Sequence, residues 1–372
     1  MKIASGLTKL SEVSKLIECG ADELYCGMIL DKWSKNYTNI ACTNKRESLS
    51  HNFSNIQQFK EAIELAHSFN VPVSLTLNSP FYSPKQYILL MKDIEKAIKA
   101  GIDSFIVSDI ALINYLKEKG VNTALSASSL GTTFNSETAK LYADFGIKRI
   151  ILPRHLTIEE IKSIVDKNPS IEFECFILNC KCSHTEGYCT FQHGFNEVLN
   201  PIRAYISSII KNQVSLVNKA GRLFSPGLLK YLRSPLIFGH LEGCWLAYNI
   251  RPFYKNLKPI KSVELKKNLE KRIESVFKKL TQPACGACAI YDLDKIGITT
   301  LKIVGREYTT KKKTEDLTFI KSCLNLLNNK RITRELFASR TKNLFFNLYK
   351  SECVTLRCYY PELYENTKQW KK

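Results

Sequence analysis

Six cysteines gather in one stretch of the chain, Cys180, Cys182, Cys189, Cys244, Cys285 and Cys288, starting where an apolar run, Phe173 to Leu178, ends. Closely spaced thiols in a reducing compartment are metal ligands more often than disulfide partners. Soft sulfur suits an iron-sulfur cluster and a structural zinc ion alike. The chain has 13 cysteines. Of the others, Cys19, Cys26, Cys42, Cys175 and Cys323 read as small buried hydrophobes. Cys180 is expected to point away from Cys182's partner by strand-like alternation. Cys353 and Cys358, in SECVTLRCYYPE, are open between buried thiols and a second metal site completed with Cys288.

Such thiols need rigid elements to hold them. One pattern recurs: an amphipathic helix, a glycine, then a short apolar run. It is seen in CGADELYCG (Cys19 to Gly27), AGIDSFIVSD (Ala100 to Asp109), FGIKRIILPR (Phe145 to Arg154) and IGITTLKIVGR (Ile296 to Arg306). Glycine closes the helix in a left-handed cap, and the run that follows has the length of a buried parallel strand. With Lys2 to Ser5, Val71 to Leu77, Asn122 to Ser126 and Glu172 to Leu178, the count reaches eight strands. Eight alternating units predict an α/β fold, a (β/α)8 TIM-like barrel. A doubly wound open sheet is the alternative. The spacing divides the chain into residues 1–180, carrying strands 1 to 7; 181–296, a Cys-rich insertion at the barrel mouth; 297–306, the closing strand; and 307–372, a small, basic, mostly helical extension.

Strand ends of such a barrel carry the chemistry. The polar residues expected there are Asn78, Asp109, Ser128, Ser129, Arg154, Glu174 and Arg306. Arg154, Glu174 and Asp109 are the catalytic candidates. Arg154 and Arg306 would grip an anionic substrate through planar bidentate bonds, or pair with Glu174 or Asp109 to close the barrel end. His184 would relay a proton or face solvent. The net charge of +19 suits a polyanion such as RNA, or a solvated Lys-rich surface. No apolar run approaches the roughly 20 residues of a membrane span, and Met1 to Gly6 does not read as a secretory leader. A cytoplasmic protein without membrane contact is expected. No HExxH helix or Ser-His-Asp arrangement stands out.

The stretch ECFILNCKCSHTEGYC, Glu174 to Cys189, resembles the signature of the peptidase U32 family: Glu174, an aromatic at Phe176, then Cys182, Gly187 and Cys189 as Cys-x4-Gly-x-Cys. GADELYCG, LTLN at Leu75 to Asn78, SASSLGTTFNSE at Ser126 to Glu137, ILPRHLTIEEI at Ile151 to Ile161 and LKIVGR extend the resemblance over most of residues 1–306. It implies a barrel holding a [4Fe-4S] cluster on Cys182, Cys189, Cys244 and Cys285, with Cys288 as the alternative fourth ligand and structural Zn as the alternative metal. The activity it implies is oxygen-independent hydroxylation of a small aromatic or an RNA base. The other readings are a non-catalytic RNA-binding or partner subunit, in a hetero-oligomer with a related chain, and a collagenase-like peptidase. Leu178 and Asn179 replace the family's usual His-Gly, Leu130 its Gln and Val304 its Glu, so three polar groups are missing from the expected pocket.

Overall fold

The four helix-to-strand transitions each turn on a left-handed glycine: Gly20, Gly101, Gly146 and Gly297 have φ of 106°, 89°, 83° and 93°. An added side chain would be strained there, which is why the pattern repeats with glycine. The computed structural model describes residues 1–37, 43–44, 46, 51–179, 186–188 and 283–363. Cys42, Cys180, Cys182, His184, Cys189 and Cys244 lie outside these residues.

Eight strands close into one parallel barrel in sequence order: β1 (Lys2–Gly6), β2 (Glu23–Cys26), β3 (Val73–Leu77), β4 (Ser104–Val107), β5 (Ala124–Ala127), β6 (Arg149–Ile151), β7 (Glu172–Leu178) and β8 (Thr300–Ile303). This is the expected (β/α)8 barrel, and the open-sheet alternative is excluded by the β1–β8 pairing. Around it lie α1 (Val13–Glu18), α2 (Asp31–Tyr37), α3 (Ile56–Ser68), α4 (Pro84–Lys99), α5 (Ile110–Glu118), α6 (Ser136–Asp144) and α7 (Ile158–Lys167). α8 (Ile290–Ile296), α9 (Thr310–Leu327) and α10 (Arg334–Tyr349) complete the described helices. Caps fix several starts. Thr157 opens α7, its hydroxyl accepting from the Glu160 N–H at 3.3 Å while Glu160 accepts from the Thr157 N–H at 2.7 Å.

Two boundaries shift. α8 packs on α7 and is the crossover between β7 and β8, so the insertion drawn to residue 296 ends before it. α9 packs on α1 and β1 as the barrel's own closing helix, so the extension drawn from residue 307 begins inside the outer ring. Only α10 and the residues after it are additional to the barrel among those described.

A polar plug fills the lower barrel. Lys302 donates to Glu174 at 2.6 Å, both buried. Arg149 binds Glu23 and reaches Glu172 at 2.8 Å and Glu174 at 3.8 Å. Arg149 and Glu23 are the first residues of their strands and Glu174 and Lys302 the third of theirs, so this network runs from the N-terminal end of the barrel to its middle. Burial alone would raise the Glu23 pKa, yet hydrogen bonding and charge from Arg149, helped by Lys2, hold it below its ordinary 4.5. A depressed carboxyl contributes stability above its unfolded pKa and loses it as pH falls through the folded value. The urea midpoint of the wild type should therefore fall below about pH 4.5, and Glu23→Gln should flatten that acid limb; an unchanged limb would remove Glu23 from the balance.

Candidate functional site

The loop after β8 places Arg306 under the barrel's C-terminal face, where catalysis sits in this architecture. Two glycines make room for it. A Cβ on Gly27 would overlap the Arg306 Nη1, and one on Gly6 would lie 2.8 Å from its Cγ. The guanidinium is buried and donates to Asn44 Oδ1 at 2.8 Å and, at 3.5 Å, to Asn52 Oδ1. Both asparagines belong to the loop between α2 and α3, which bridges back to the barrel through Met28 and Phe53. Neither Glu174 nor Asp109 bonds Arg306, so the expected closing pair does not form. Glu307 instead pairs with Arg46 at 3.2 Å. Burial, then the Arg46 charge, pulls the Arg306 pKa down, but a guanidinium stays charged near neutrality. The result is a buried cation that donates to neutral amides, with the Glu307 carboxylate as an opposing charge nearby.

Arg154 is engaged differently. Its guanidinium pairs with Glu186 at 3.2 Å and lies 4.0 Å over the Phe176 ring, and its N–H donates to Glu186 at 2.6 Å. Ser129 also donates to Glu186, at 2.7 Å. Glu186 thus ties the motif around Gly187 to the ends of β5 and β6. Gly187 has φ 88°, and a Cβ there would overlap Thr132 and lie 2.7 Å from the Leu130 carbonyl oxygen. The glycine of the Cys-x4-Gly-x-Cys motif is required by that approach.

The three catalytic candidates do not converge. Arg154 is clamped to Glu186. Glu174 sits in the lower plug, bound to Lys302, and so lies away from the mouth where the sequence placed it. Asp109 caps α5 through the Ala111 N–H at 2.9 Å and accepts from Tyr87 at 2.7 Å. Ser128 and Ser129 are buried in the turn after β5. Glu186, Asn44 and Asn52 were missed: nothing in their sequence spacing distinguishes them from loop residues, although Glu186 adjoins the motif glycine. Asn179, at the position where the resemblance led to an expectation of glycine, adopts φ 76°. Asparagine tolerates that conformation, and its side chain donates to Val304 O and Asp316, each at 2.8 Å. Asn179→Gly should keep the turn but lose those bonds, costing about 1–3 kcal/mol by urea denaturation; no loss would show that they contribute nothing.

Of the expected cluster ligands, the described residues include Cys285, and its alternative Cys288. Cys285 forms an isolated bridge with Leu178, the last residue of β7. It therefore stands beside the strand that leads into residues 180–189, as a ligand shared with that segment would require. Cys182, Cys189 and Cys244 lie outside the described residues.

The model of one protein family, Peptidase family U32, matches residues 8–199. A "tRNA hydroxylation protein P" of Helicobacter pylori is 25% identical over 190 residues, covering 51% of this chain and 42% of that protein. A "Collagenase" of Porphyromonas gingivalis is 26% identical over 230 residues, covering 59% and 51%. A 23S rRNA 5-hydroxycytidine synthase of Escherichia coli is 28% identical over 149 residues, covering 38% and 21%. The aligned part of this chain spans about half or less of the length of these relatives.

Proposed function

The chain belongs to peptidase family U32, and from that premise we propose that it modifies a base in RNA by hydroxylation. The observation that carries this reading is Arg306 in the loop after β8, a buried cation that donates to the neutral amides of Asn44 and Asn52. A phosphate of the RNA backbone is the anion it suits. The net charge of +19 supports a polyanionic substrate. The names of the Helicobacter and Escherichia relatives support RNA hydroxylation as the reaction.

Two aromatic side chains stand on loops of the same face. Phe81, between β3 and α4, and Tyr188, beside Gly187, are each 73% exposed. Unpaired bases stack on such rings. Phe81→Ala and Tyr188→Ala should each weaken binding of single-stranded RNA by about 1–3 kcal/mol in a fluorescence titration; unchanged binding would remove these rings from the interface.

The reading includes an iron-sulfur cluster at the mouth, on Cys182, Cys189, Cys244 and a fourth thiolate, for which Cys285 and Cys288 are the candidates by spacing. When bound, a cluster of this kind supplies one-electron transfer. Hydroxylation replaces a ring C–H hydrogen by OH and removes an electron pair from the base, so the co-reactant must be an oxygen donor that itself takes up those two electrons and leaves in reduced form. The chain's own residues anchor and orient. Arg306 holds a phosphate, the aromatic rings hold the extruded base, and the Arg154–Glu186–Ser129 contacts fix Glu186 and Gly187 against the ends of β5 and β6.

Anaerobically purified protein should contain iron and acid-labile sulfide, lost in Cys182→Ala and Cys189→Ala, and should bind tRNA or rRNA with an affinity that falls steeply with salt. Iron-free protein after reconstitution would end the cluster reading. RNA binding without modification would favour the partner-subunit reading, and cleavage of a collagen-like peptide by metal-free protein would favour the peptidase reading.

A further inference from the structure

Side chains that reach across the barrel fix its inward face. Arg149 of β6 bonds Glu23 of β2, and Lys302 of β8 lies 3.9 Å over the Tyr25 ring. Tyr25 is in register with Ser74, and Ser74 with Ser104, the two serine hydroxyls lying 2.7 Å apart. Side chains alternate along a strand, so the inward residues of β4 are Ser104, Ile106 and, one step past the strand's end, Ser108. Two observations carry this alternation beyond Val107. The Ser128 N–H donates to Val107 O at 2.8 Å, which continues the ladder with β5. Asp109 keeps an extended backbone and turns its carboxylate outward, to the Ala111 N–H and the Tyr87 hydroxyl of α4. Ser108, on the other side of the chain, therefore points into the C-terminal mouth.

Ser108 is 6% exposed, and its hydroxyl has no hydrogen-bond partner among the described residues. A buried hydroxyl left unpaired is unfavourable, and such groups are uncommon in folded proteins. The same register, continued by two residues, sets Asn78 and Ser128 on either side of it. Barrels of this kind ordinarily fill their interior with bulky branched side chains, whereas β3, β4 and β5 present small polar ones at the mouth. Asn78 is half-buried, so the opening reaches down to this layer. Ser128 is engaged, accepting from the Leu130 N–H at 3.3 Å.

We propose that the Ser108 hydroxyl hydrogen-bonds the polar ring edge of the base that enters the mouth. This rests on the reading of RNA as the substrate, and adds to it a residue that touches the base. A hydroxyl both donates and accepts, so it meets an exocyclic oxygen or an exocyclic amine. Rotation about one bond turns the oxygen toward the opening. The bond exists only in the complex, which gives it a signature: removing the hydroxyl costs affinity for the base without costing stability of the free protein.

The test compares the full chain with Ser108→Ala and Thr300→Val, by urea denaturation and by binding of short single-stranded RNAs. The probes are oligouridylate, oligocytidylate, oligoadenylate and a ribose-phosphate oligomer of the same length without bases. Thr300 is the control, because its hydroxyl is also buried and unpartnered among the described residues but stands on the first residue of β8, at the far end of the barrel. Ser108→Ala should unfold at the wild-type urea midpoint or above it. It should bind the base-bearing oligomer that the wild type prefers about 10-fold more weakly, and the base-free oligomer as the wild type does. Thr300→Val should bind every oligomer as the wild type does. Unchanged binding of the base-bearing oligomer by Ser108→Ala would show that no base meets the hydroxyl, and would overturn the proposal. A lowered urea midpoint would overturn it too, by showing that the hydroxyl has a partner in the free protein, as would equal weakening with the base-free oligomer. A wild type that binds no oligomer, or binds the base-free one equally well, would overturn the RNA-base reading and the proposal with it. The Ser108→Ala outcomes, with wild-type binding intact, bear on the proposal alone.

Discussion

Lys302→Met should destabilise the protein by about 3–5 kcal/mol, because it leaves the Glu174 carboxylate buried without the ammonium that neutralises it. Lys302 and Glu174 have side-chain exposures of 8% and 3%, so water cannot replace the lost partner. Arg149 remains 3.8 Å from Glu174 but is already committed to Glu23 and Glu172. Lys302 also lies 3.9 Å over the Tyr25 ring, a contact that methionine retains only as packing. The double variant Lys302→Met/Glu174→Gln should recover a large part of the loss, since removing both charges removes the desolvation problem. Urea denaturation of the wild type, both single variants and the double variant checks this. Additive losses would show that the pair is not coupled.

Gly27→Ala should abolish most RNA modification while leaving the barrel folded. Gly27 is not in a left-handed conformation, so the backbone tolerates alanine. The added methyl, however, would occupy the space of the Arg306 guanidinium and the Asn52 amide. Arg306 would have to move, and misplacing a positioning group by about 1 Å costs on the order of 100-fold in rate. Circular dichroism should be close to wild type, and the yield of modified base should fall by about that factor. Normal activity in Gly27→Ala would mean that the position of Arg306 does not matter.

The barrel was legible because its signal is local and repeated. Each helix-glycine-strand transition carries its own glycine, and β7, Glu172–Leu178, takes in the whole apolar run Phe173 to Leu178. α2 was not read: Asp31–Tyr37 is only two turns long, and the single Trp33–Tyr37 pair is too short a stripe to mark it. The site was less legible because side-chain partners are set by the barrel's closure. Glu174 sits at a strand position that faces inward, but only the β7–β8 register brings it beside Lys302. The Arg306 cradle joins the loop after β8 to asparagines more than 250 residues earlier, with Asn52 and Arg306 separated by 254. No spacing rule reaches that far. The bridge between Cys285 and Cys358 is equally non-local.

The central claim is that this barrel hydroxylates RNA with Arg306 anchoring the strand. Its most direct test is mass spectrometry of nucleosides from tRNA and rRNA of cells that lack the gene, complemented with the wild type or with Arg306→Gln. The account predicts a nucleoside carrying one additional oxygen that disappears with the gene, returns with the wild type and stays strongly depleted with Arg306→Gln. An unchanged nucleoside profile in cells without the gene would contradict it.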